Sequence, residues 1–231
     1  MTFLVGRIFL LHTMVIERFP EVTDADEHGL LAFGGDLDLE SLILAYSSGI
    51  FPWPYDENTL AWFAPPQRAV ILLDEFHVAS RLARRLKQHP FELKMDTNFR
   101  EVMTKCAELK NRGTQSGTWI TQGLIEAYCT LFDAGFCHSF EAYKDGVLVG
   151  GLYGVQLGSY FAAESSFFRV TSASKAAMCH AADYLRRSGI TWFDCQVLTP
   201  FSESFGAREL SRAEFMTMLD DTLMRSLSPE S

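Results

Sequence analysis

The fold is decided by the stretch His138–Ser165, which reads HSFEAYK-DG-VLVGGLYGVQ-LG-SYFAAES. Three runs within it, 138–144, 147–156 and 159–165, predict three β-strands. Asp145-Gly146 separates the first two runs by two residues, and this pair is a strong short-range signal of a β-hairpin. We therefore predict an antiparallel meander of three strands here.

Capping residues and apolar residues at helical spacing predict helices on both sides of the meander. Three helices are predicted before it. The first covers His77–Gln88, the second begins at Asn98 with Glu101 closing a capping box, and the third covers Gly123–Ala134. The elements after it are a helix over Ser172–Arg187, a strand over 192–197, and a last helix opened by Ser211 with Glu214. This order indicates a mixed α/β (α+β) fold.

The N-terminal part of the chain is rich in turn signals and loops. One helix is predicted there over Leu39–Ser48, with Gly49 as its terminator. Pro65-Pro66 marks a boundary, because the run Ala69–Leu73 that follows is a short apolar strand. We predict a small N-terminal α/β module over residues 1–66 and a larger domain over residues 67–231.

The last predicted strand, WFDCQV over 192–197, places an acid and an amide on one face. Side chains alternate faces along a strand, so Asp194 and Gln196 project together while Cys195 points away. Burying both groups costs free energy unless each finds a polar partner, and a catalytic or binding site commonly supplies one. A solvated strand edge or a structural pair is the alternative interpretation.

Composition describes an ordinary globular protein with one local basic region. The chain has 231 residues, is 48% hydrophobic and carries a net charge of -9. Between residues 81 and 112, however, basic residues outnumber acidic ones, and Arg81, Arg84 and Arg85 share one face of the predicted helix. This face is either a binding patch for an anionic partner or an ordinary solvated helix surface.

Several classes of protein are disfavoured by the sequence. The five cysteines are odd in number and lack paired short spacings, which favours free thiols in a reducing cytoplasm. The spacing of His and Cys predicts no metal site. The apolar N-terminus lacks the features of a signal peptide, and no apolar run is long enough for a membrane span, so we expect a cytoplasmic protein.

The order of helices, meander, crossover helix and strand resembles the core of the GNAT (N-acetyltransferase) superfamily. In that superfamily a helix after the fourth strand cradles the pyrophosphate of acetyl-coenzyme A. The matching loop here is RVTSAS over residues 169–174, and it lacks the glycines that let a backbone approach a pyrophosphate. A GNAT-like mixed sheet is therefore expected, with coenzyme A disfavoured as the donor.

A series of ordered motifs is more specific. They are Phe19-Pro20, Gly29–Leu37, Tyr46–Trp53, Thr118–Thr121, His138–Glu141, Val149–Gly154, Glu164-Ser165, Ala173–Lys175, Asp194–Gln196 and Gly206-Ala207. In this order they resemble the leucyl/phenylalanyl-tRNA-protein transferase family, with the match running from about Phe19 to Leu223. So many ordered motifs make a chance resemblance improbable, although each one alone is weak.

The resemblance implies the transfer of Leu or Phe, with Met as a further donor, from aminoacyl-tRNA to an N-terminal Arg or Lys of a protein. Such a transfer marks the acceptor for degradation in the N-degron pathway and requires no cofactor or metal, because the aminoacyl ester is already activated. Gln196 would orient the attacking amine, and Asp194 would hold Gln196 and draw off positive charge. Glu164 would attract the cationic acceptor terminus.

The resemblance also implies binding residues for the donor. Leu152, Phe161 and Met178 are expected to form an apolar slot for the aminoacyl side chain, with ordinary core as the alternative. Phe161 and Glu164 can serve one site only if a β-bulge lies near Ala162-Ala163. The resemblance further implies that Trp62 and Trp119 stack on the 3′ adenosine of the tRNA, and that the face of Arg81, Arg84 and Arg85 binds acceptor-stem phosphates.

Two segments depart from the family pattern. The expected Gly-Glu-Ser-Met-Phe-Ser is here AESSFF over residues 163–168, and a His that commonly precedes Ser-Leu-Gly-Ala is replaced at Phe201. Two rival functions stay open at this point. They are a coenzyme-A-dependent N-acetyltransferase and a non-catalytic adaptor that binds tRNA or a degron.

Overall fold

The computed structural model describes residues 3–5, 8–11, 15–54, 59–109, 111–112, 115–116 and 120–227. Its centre is a seven-stranded mixed sheet in the order β14-β6-β13-β12-β11-β10-β7. These strands are β6 Gln67–Leu72, β7 Glu92–Met95, β10 Cys137–Lys144, β11 Val147–Leu157, β12 Tyr160–Phe168, β13 Trp192–Gln196 and β14 Arg208–Ser211. The predicted meander is confirmed as β10, β11 and β12, which pair antiparallel in sequence order.

The turn between β10 and β11 follows the sequence signal. Asp145 and Gly146 both have positive φ angles, 52° and 75°. This left-handed pair matches the twist of a two-residue hairpin, and Asp and Gly are among the residues that adopt it most readily.

Seven α-helices lie in the described part of the chain. They are α1 Leu39–Ser47, α2 Ser80–Gln88, α3 Phe99–Ala107, α4 Gln122–Asp133, α5 Ala173–Arg187, α6 Pro200–Glu203 and α7 Arg212–Leu227. The predicted capping box at Asn98 is wrong, because the Asn98 side chain bonds the Glu101 side chain instead of a backbone amide. The buried carboxylate of Glu141 accepts from the backbone amides of Thr97 and Asn98, at 3.0 and 2.8 Å.

The N-terminal region contains a sheet, which the prediction of loops missed. Five strands pair in the order β1-β2-β3-β5-β4. They are β1 Phe3–Val5, β2 Ile8–Leu11, β3 Leu30–Gly34, β4 Phe51–Pro52 and β5 Ala61–Phe63, and a two-residue pair, β8 Asn111–Arg112 with β9 Gln115–Ser116, lies elsewhere. The strands are only two to five residues long and bounded by Gly and Pro, so they show too little alternation to be recognised from sequence.

The proposed boundary at residue 66 falls between β5 and β6, but the core runs across it. Leu31 and Trp62 from the N-terminal side share one buried cluster with Phe99 and Tyr128 from the larger domain. The N-terminal module therefore folds against the central sheet.

The two faces of the central sheet carry different layers. One face, with Tyr160, Ala162 and Trp192, packs against α1, α3, α4 and α7. The opposite face, with Phe161 and Phe193, packs against α5. Between them β12 and β13 run parallel and share one paired position, Ala162 with Asp194, after which the two strands part. No further residues of β12 and β13 are paired beyond this position, and this unpaired stretch beside Asp194 is called the gap below.

None of the helices in the described ranges has both the length and the apolar character required to cross a membrane.

Candidate active site

Asp194 is the centre of a fully buried polar network. Its carboxylate receives two strong bonds from Arg68, Nε to Oδ1 at 2.9 Å and Nη2 to Oδ2 at 2.7 Å. The Tyr160 hydroxyl donates to Oδ2 at 2.7 Å, and the backbone amide of Gln196 donates to Oδ1 at 2.7 Å. Asp194 and Arg68 are at most 1% exposed, so this is a buried bidentate ion pair. The partner that the sequence required for a buried acid is Arg68.

Arg68 joins the N-terminal module to this network. Its guanidinium lies 4.6 Å from the ring centroids of Phe51 and of Phe215, and its Nη1 donates to the carbonyl of Gly49 at 3.1 Å. Burial lowers the pKa of Arg68, but the charge and hydrogen bonds of Asp194 outweigh this effect and raise the pKa overall. The arginine is therefore charged at every physiological pH.

Gln196 sits at a strained position at the end of β13. Its φ is 60°, in the left-handed region that a side chain other than Gly, Asn or Asp rarely adopts. The pairing of β13 with β6 shifts between Asp194 and Gln196, so Cys195 is the extra residue of a β-bulge. The bond from the Gln196 amide to Asp194 holds this conformation. The Asp194 side chain thus holds the backbone of Gln196, whereas the predicted contact is between the two side chains.

Glu164 holds the side chain of Gln196 across the gap between β12 and β13. The Nε2 of Gln196 donates to Oε1 of Glu164 at 2.5 Å. Glu164 is itself the extra residue of a second bulge, since β11 pairs Tyr153 with Ser165 and Gly154 with Ala163. The bulge predicted near Ala162-Ala163 is confirmed, one residue further along the strand.

The environment of Glu164 favours its protonated form. Burial raises the pKa of Glu164 to about 8, with hydrogen bonding from Tyr46 and Gln196 opposing the rise and the charge of Asp194 adding to it. Oε2 of this side chain is buried without a hydrogen-bond partner among the described residues. Tyr46 in turn is hydrogen-bonded to Tyr128, hydroxyl to hydroxyl. The site therefore contains a titratable carboxyl group close to neutrality, with tyrosines behind it.

Leu152, Phe161 and Met178 lie together in one buried cluster beneath α5, each at most 4% exposed. This cluster is on the opposite face of the sheet from Tyr160 and Asp194. The bulge does not bring Phe161 and Glu164 onto one face of the sheet. Their role in a donor slot stays a proposal.

Trp62 is a correction to the prediction. The residue is fully buried, its indole Nε1 donates to the carbonyl of Gly34 at 2.8 Å, and Phe19 packs edge-on against its ring at 4.8 Å. A base therefore has no access to the ring, and Trp62 is a core residue. The second predicted stacking residue, Trp119, lies outside the described residues.

A different tryptophan lines an open pocket beside the site. Trp53, from the same motif as Phe51, borders a pocket of about 400 Å³ together with Phe63, Pro65 and Val197. Val197 directly follows Gln196, so the pocket adjoins the polar network. The structure thus has an aromatic pocket at Trp53, whereas Trp62 is buried.

The predicted basic residues Arg81, Arg84 and Arg85 are all exposed on α2. The structure separates them, because Arg81 and Arg85 line a second pocket at the beginning of α5 and Arg84 does not. Their part in tRNA binding stays a proposal.

Three site residues were missed by the sequence analysis. Arg68 directly precedes the predicted strand Ala69–Leu73, and an arginine at that position is usually a solvated strand end. Tyr46 appears in the sequence analysis only within a longer motif and Tyr160 only within a predicted strand. Neither has a local pattern that distinguishes a buried hydroxyl donor from a core aromatic. The five cysteines are free thiols, as predicted.

The sequence is similar to known proteins over most of its length. The family model "Leucyl/phenylalanyl-tRNA protein transferase" matches residues 70–220, and the model of its N-terminal domain matches residues 35–66. The leucyl/phenylalanyl-tRNA–protein transferase of Flavobacterium johnsoniae is 46% identical over 201 residues, which cover 87% of this chain and 94% of that protein. The protein of the same name from Syntrophobacter fumaroxidans is 43% identical over 213 residues, covering 92% and 91%.

Among solved structures, that of FemX matches with a TM-score of 0.50 at 11% sequence identity, covering 75% of this chain and 66% of the FemX chain. This similarity concerns the fold alone. It agrees with the predicted GNAT-like mixed sheet.

The raised pKa of Glu164 makes a prediction about stability. Folded protein keeps a proton on Glu164 that the unfolded chain loses near its ordinary pKa of 4.5, so the free energy of unfolding falls as pH rises from there to about 8. Glu164→Gln removes this dependence, because the amide does not ionise. Thermal unfolding at pH 6 and pH 8.5 should show Glu164→Gln gaining stability relative to the parent protein as pH rises. A constant difference, or the same gain in Glu209→Gln at an exposed position, contradicts this account.

Proposed function

Because the chain belongs to the leucyl/phenylalanyl-tRNA protein transferase family, we propose that it transfers leucine or phenylalanine from aminoacyl-tRNA to the N-terminal Arg or Lys of acceptor proteins. It is an aminoacyltransferase, and this chemistry acts in the N-degron step that marks proteins for degradation. The identities of the donor and acceptor residues are the proposed part.

The observation that supports this function best is the fixed orientation of the Gln196 carboxamide. Its Nε2 is bound to Glu164, and none of the hydrogen bonds in the described part of the chain uses its carbonyl oxygen. A neutral amide oxygen accepts a hydrogen bond but does not take a proton. The free oxygen therefore suits the alignment of an attacking amine at the gap between β12 and β13.

The reaction needs alignment more than activation. The amine nitrogen attacks the ester carbonyl, an amide bond forms, and the bond from the carbonyl carbon to the ribose oxygen breaks. The ribose oxygen leaves as a hydroxyl and the amine loses one proton overall. An α-amine has a pKa of about 7.7–8.0, so a neutral fraction exists near pH 7. Holding this amine against the ester accounts for a large part of the expected rate enhancement.

Glu164 is proposed to exchange a proton with the acceptor amine. Its pKa of about 8 lies close to that of the acceptor amine, so a proton moves between the two groups at little cost. The ionised fraction of Glu164, which grows as the pH approaches 8, also attracts the cationic terminus. Asp194 is already neutralised by Arg68, and we propose that it positions Gln196 and has no direct contact with the amine.

We propose that the adenine and the aminoacyl side chain of the donor bind on different sides of Gln196. The pocket of Trp53 and Phe63 offers aromatic faces on which the terminal adenine of the tRNA stacks. We propose the buried cluster of Leu152, Phe161 and Met178 as the apolar lining for the aminoacyl side chain, which this cluster admits only by side-chain movement. No cofactor is needed for this reaction, because the ester bond supplies the free energy.

A direct assay tests both the activity and the role of Gln196. The protein is incubated with leucyl-tRNA and a peptide that begins with Arg, and the peptide mass is measured. We expect the addition of one leucine, and we expect Gln196→Ala to slow it about 10²-fold through misalignment of the amine while affinity for leucyl-tRNA is retained.

Gln156→Ala is a matched control. Gln156 lies near the C-terminal end of β11, and its side chain donates to the nearby carbonyl of Gly158. Transfer by Gln196→Ala at the parental rate would assign the residue a structural role. Acetyl transfer from acetyl-coenzyme A in place of leucine transfer would contradict the proposed function itself.

The apolar cluster makes a prediction about the donor. Met178→Ala shortens a side chain that packs with Leu152 and Phe161, so the slot becomes larger and phenylalanine gains relative to leucine. One pocket contact discriminates by about 1–3 kcal/mol, so the shift in preference is partial. Competition between leucyl-tRNA and phenylalanyl-tRNA in one reaction measures the ratio of products. An unchanged ratio in a folded variant would make Met178 ordinary core.

A further inference from the structure

A second pocket, of about 380 Å³, lies where α2, the end of β12, the beginning of α5 and α6 meet. It is lined by three cationic side chains, two phenylalanines and a serine: Arg81, Arg85, Lys175, Phe168, Phe201 and Ser174. None of these residues belongs to the polar network around Asp194.

The charge of this pocket is not compensated within the described residues. No described carboxylate forms an ion pair with Arg81, Arg85 or Lys175, and Lys175 contacts only the Ser204 hydroxyl at 3.4 Å and the Phe205 ring. The protein as a whole carries a net charge of -9. Three unpaired cations around one concavity of an acidic protein indicate an anionic ligand.

The two phenylalanines add a feature that a simple anion site does not require. Phe168 is 56% exposed at the last position of β12, and Phe201 is partly exposed on α6. These are two of the positions at which the chain departs from the family motifs, and the fold brings both to one pocket. Exposed aromatic faces beside cations are the combination that binds unpaired nucleotides, with the base stacked and the phosphate held electrostatically.

The floor of the pocket offers a further polar group. Ser174, in the first turn of α5, is only 4% exposed and lines the pocket, and none of the hydrogen bonds of the described chain uses its hydroxyl. This hydroxyl is available to a ligand in the pocket as a donor and an acceptor. The N-terminus of the fifteen-residue helix α5 favours an anion at the same place.

The position of the pocket matches the path of the donor. Phe168 follows Glu164 by four residues of β12, a span of about 13 Å in an extended strand. Two unpaired nucleotides cover about this distance. The pocket therefore lies where the nucleotides that precede the terminal adenosine of the tRNA would pass.

We propose that this pocket binds a cytidine of the unpaired 3′ end of the tRNA, with its base against Phe168 and Phe201 and its phosphate against Arg81, Arg85 and Lys175. This inference rests on the proposed function, because it assumes a tRNA donor. It assigns to this chain a nucleotide site in addition to the pocket for the terminal adenosine.

The test compares two ligands, deacylated tRNA with its complete 3′ end and the same tRNA trimmed of its last three nucleotides. We expect the parent protein to bind the complete tRNA at least tenfold more tightly, and Phe168→Ser to lose about tenfold of affinity for the complete tRNA but little for the trimmed one. Phe168→Trp should restore the preference, because it returns an aromatic face. Phe168 is exposed, so these variants keep the fold.

The cations are tested on the same ligands. Arg85→Ala should lower the salt dependence of binding by about one phosphate contact. The matched control is Lys87→Ala, which removes one positive charge from the same helix outside the pocket. Equal losses in the two variants would indicate only a diffuse basic surface and would overturn the site. Unchanged affinity of Phe168→Ser for complete tRNA would overturn it as well.

Leucyl-adenosine separates this inference from the proposed function, because it is a donor without cytidines. The loss caused by Phe168→Ser should be about tenfold larger with leucyl-tRNA than with leucyl-adenosine. Equal losses with both donors would contradict the nucleotide site. Absence of transfer by the parent protein from either donor would contradict the proposed function, while the binding comparison would still decide the pocket.

Discussion

The site depends on the buried ion pair between Arg68 and Asp194. Removing two charges from water is costly, and this cost is offset because each nitrogen and oxygen atom of the two charged groups has a hydrogen-bond partner. Its partners come from separate parts of the chain: the carbonyl of Gly49 after α1, the Tyr160 hydroxyl on β12, and the rings of Phe51 and Phe215. A network of this kind is satisfied only when the N-terminal module, the central sheet and α7 are all in place.

Two β-bulges place the side chains of the candidate site around this ion pair. One bulge on β12 carries Glu164, and one on β13 places Gln196 in a left-handed conformation. Both occur where β12 and β13 part, so their side chains meet across a gap that regular pairing would have closed. Strained backbone persists where its surroundings over-determine it, and here the Asp194 carboxylate does so.

The sequence predicts the regular part of this architecture well because its signals are local. The meander and its Asp145-Gly146 turn follow from period and turn chemistry alone. The bulge at Cys195 breaks the regular alternation from which a shared face of Asp194 and Gln196 was predicted. The sequence does not show which polar or aromatic side chains are buried. Trp62 and Trp53 both lie in the N-terminal region, and only the packing of Phe19 reveals that the first is core while the second borders a pocket. Arg68 was not predicted as a site residue for the same reason, because its partner Asp194 is remote in sequence.

The central claim is that Asp194 affects the reaction by holding Gln196. Rates of leucine transfer from leucyl-tRNA, measured for Asp194→Asn, Gln196→Ala and the double variant under conditions where each is folded, test it most directly. Residues that act as one unit are not additive, so Asp194→Asn should slow the parent protein strongly and change the Gln196→Ala protein by no more than about twofold. An equal factor in both backgrounds would show that Asp194 acts on the reaction independently of Gln196.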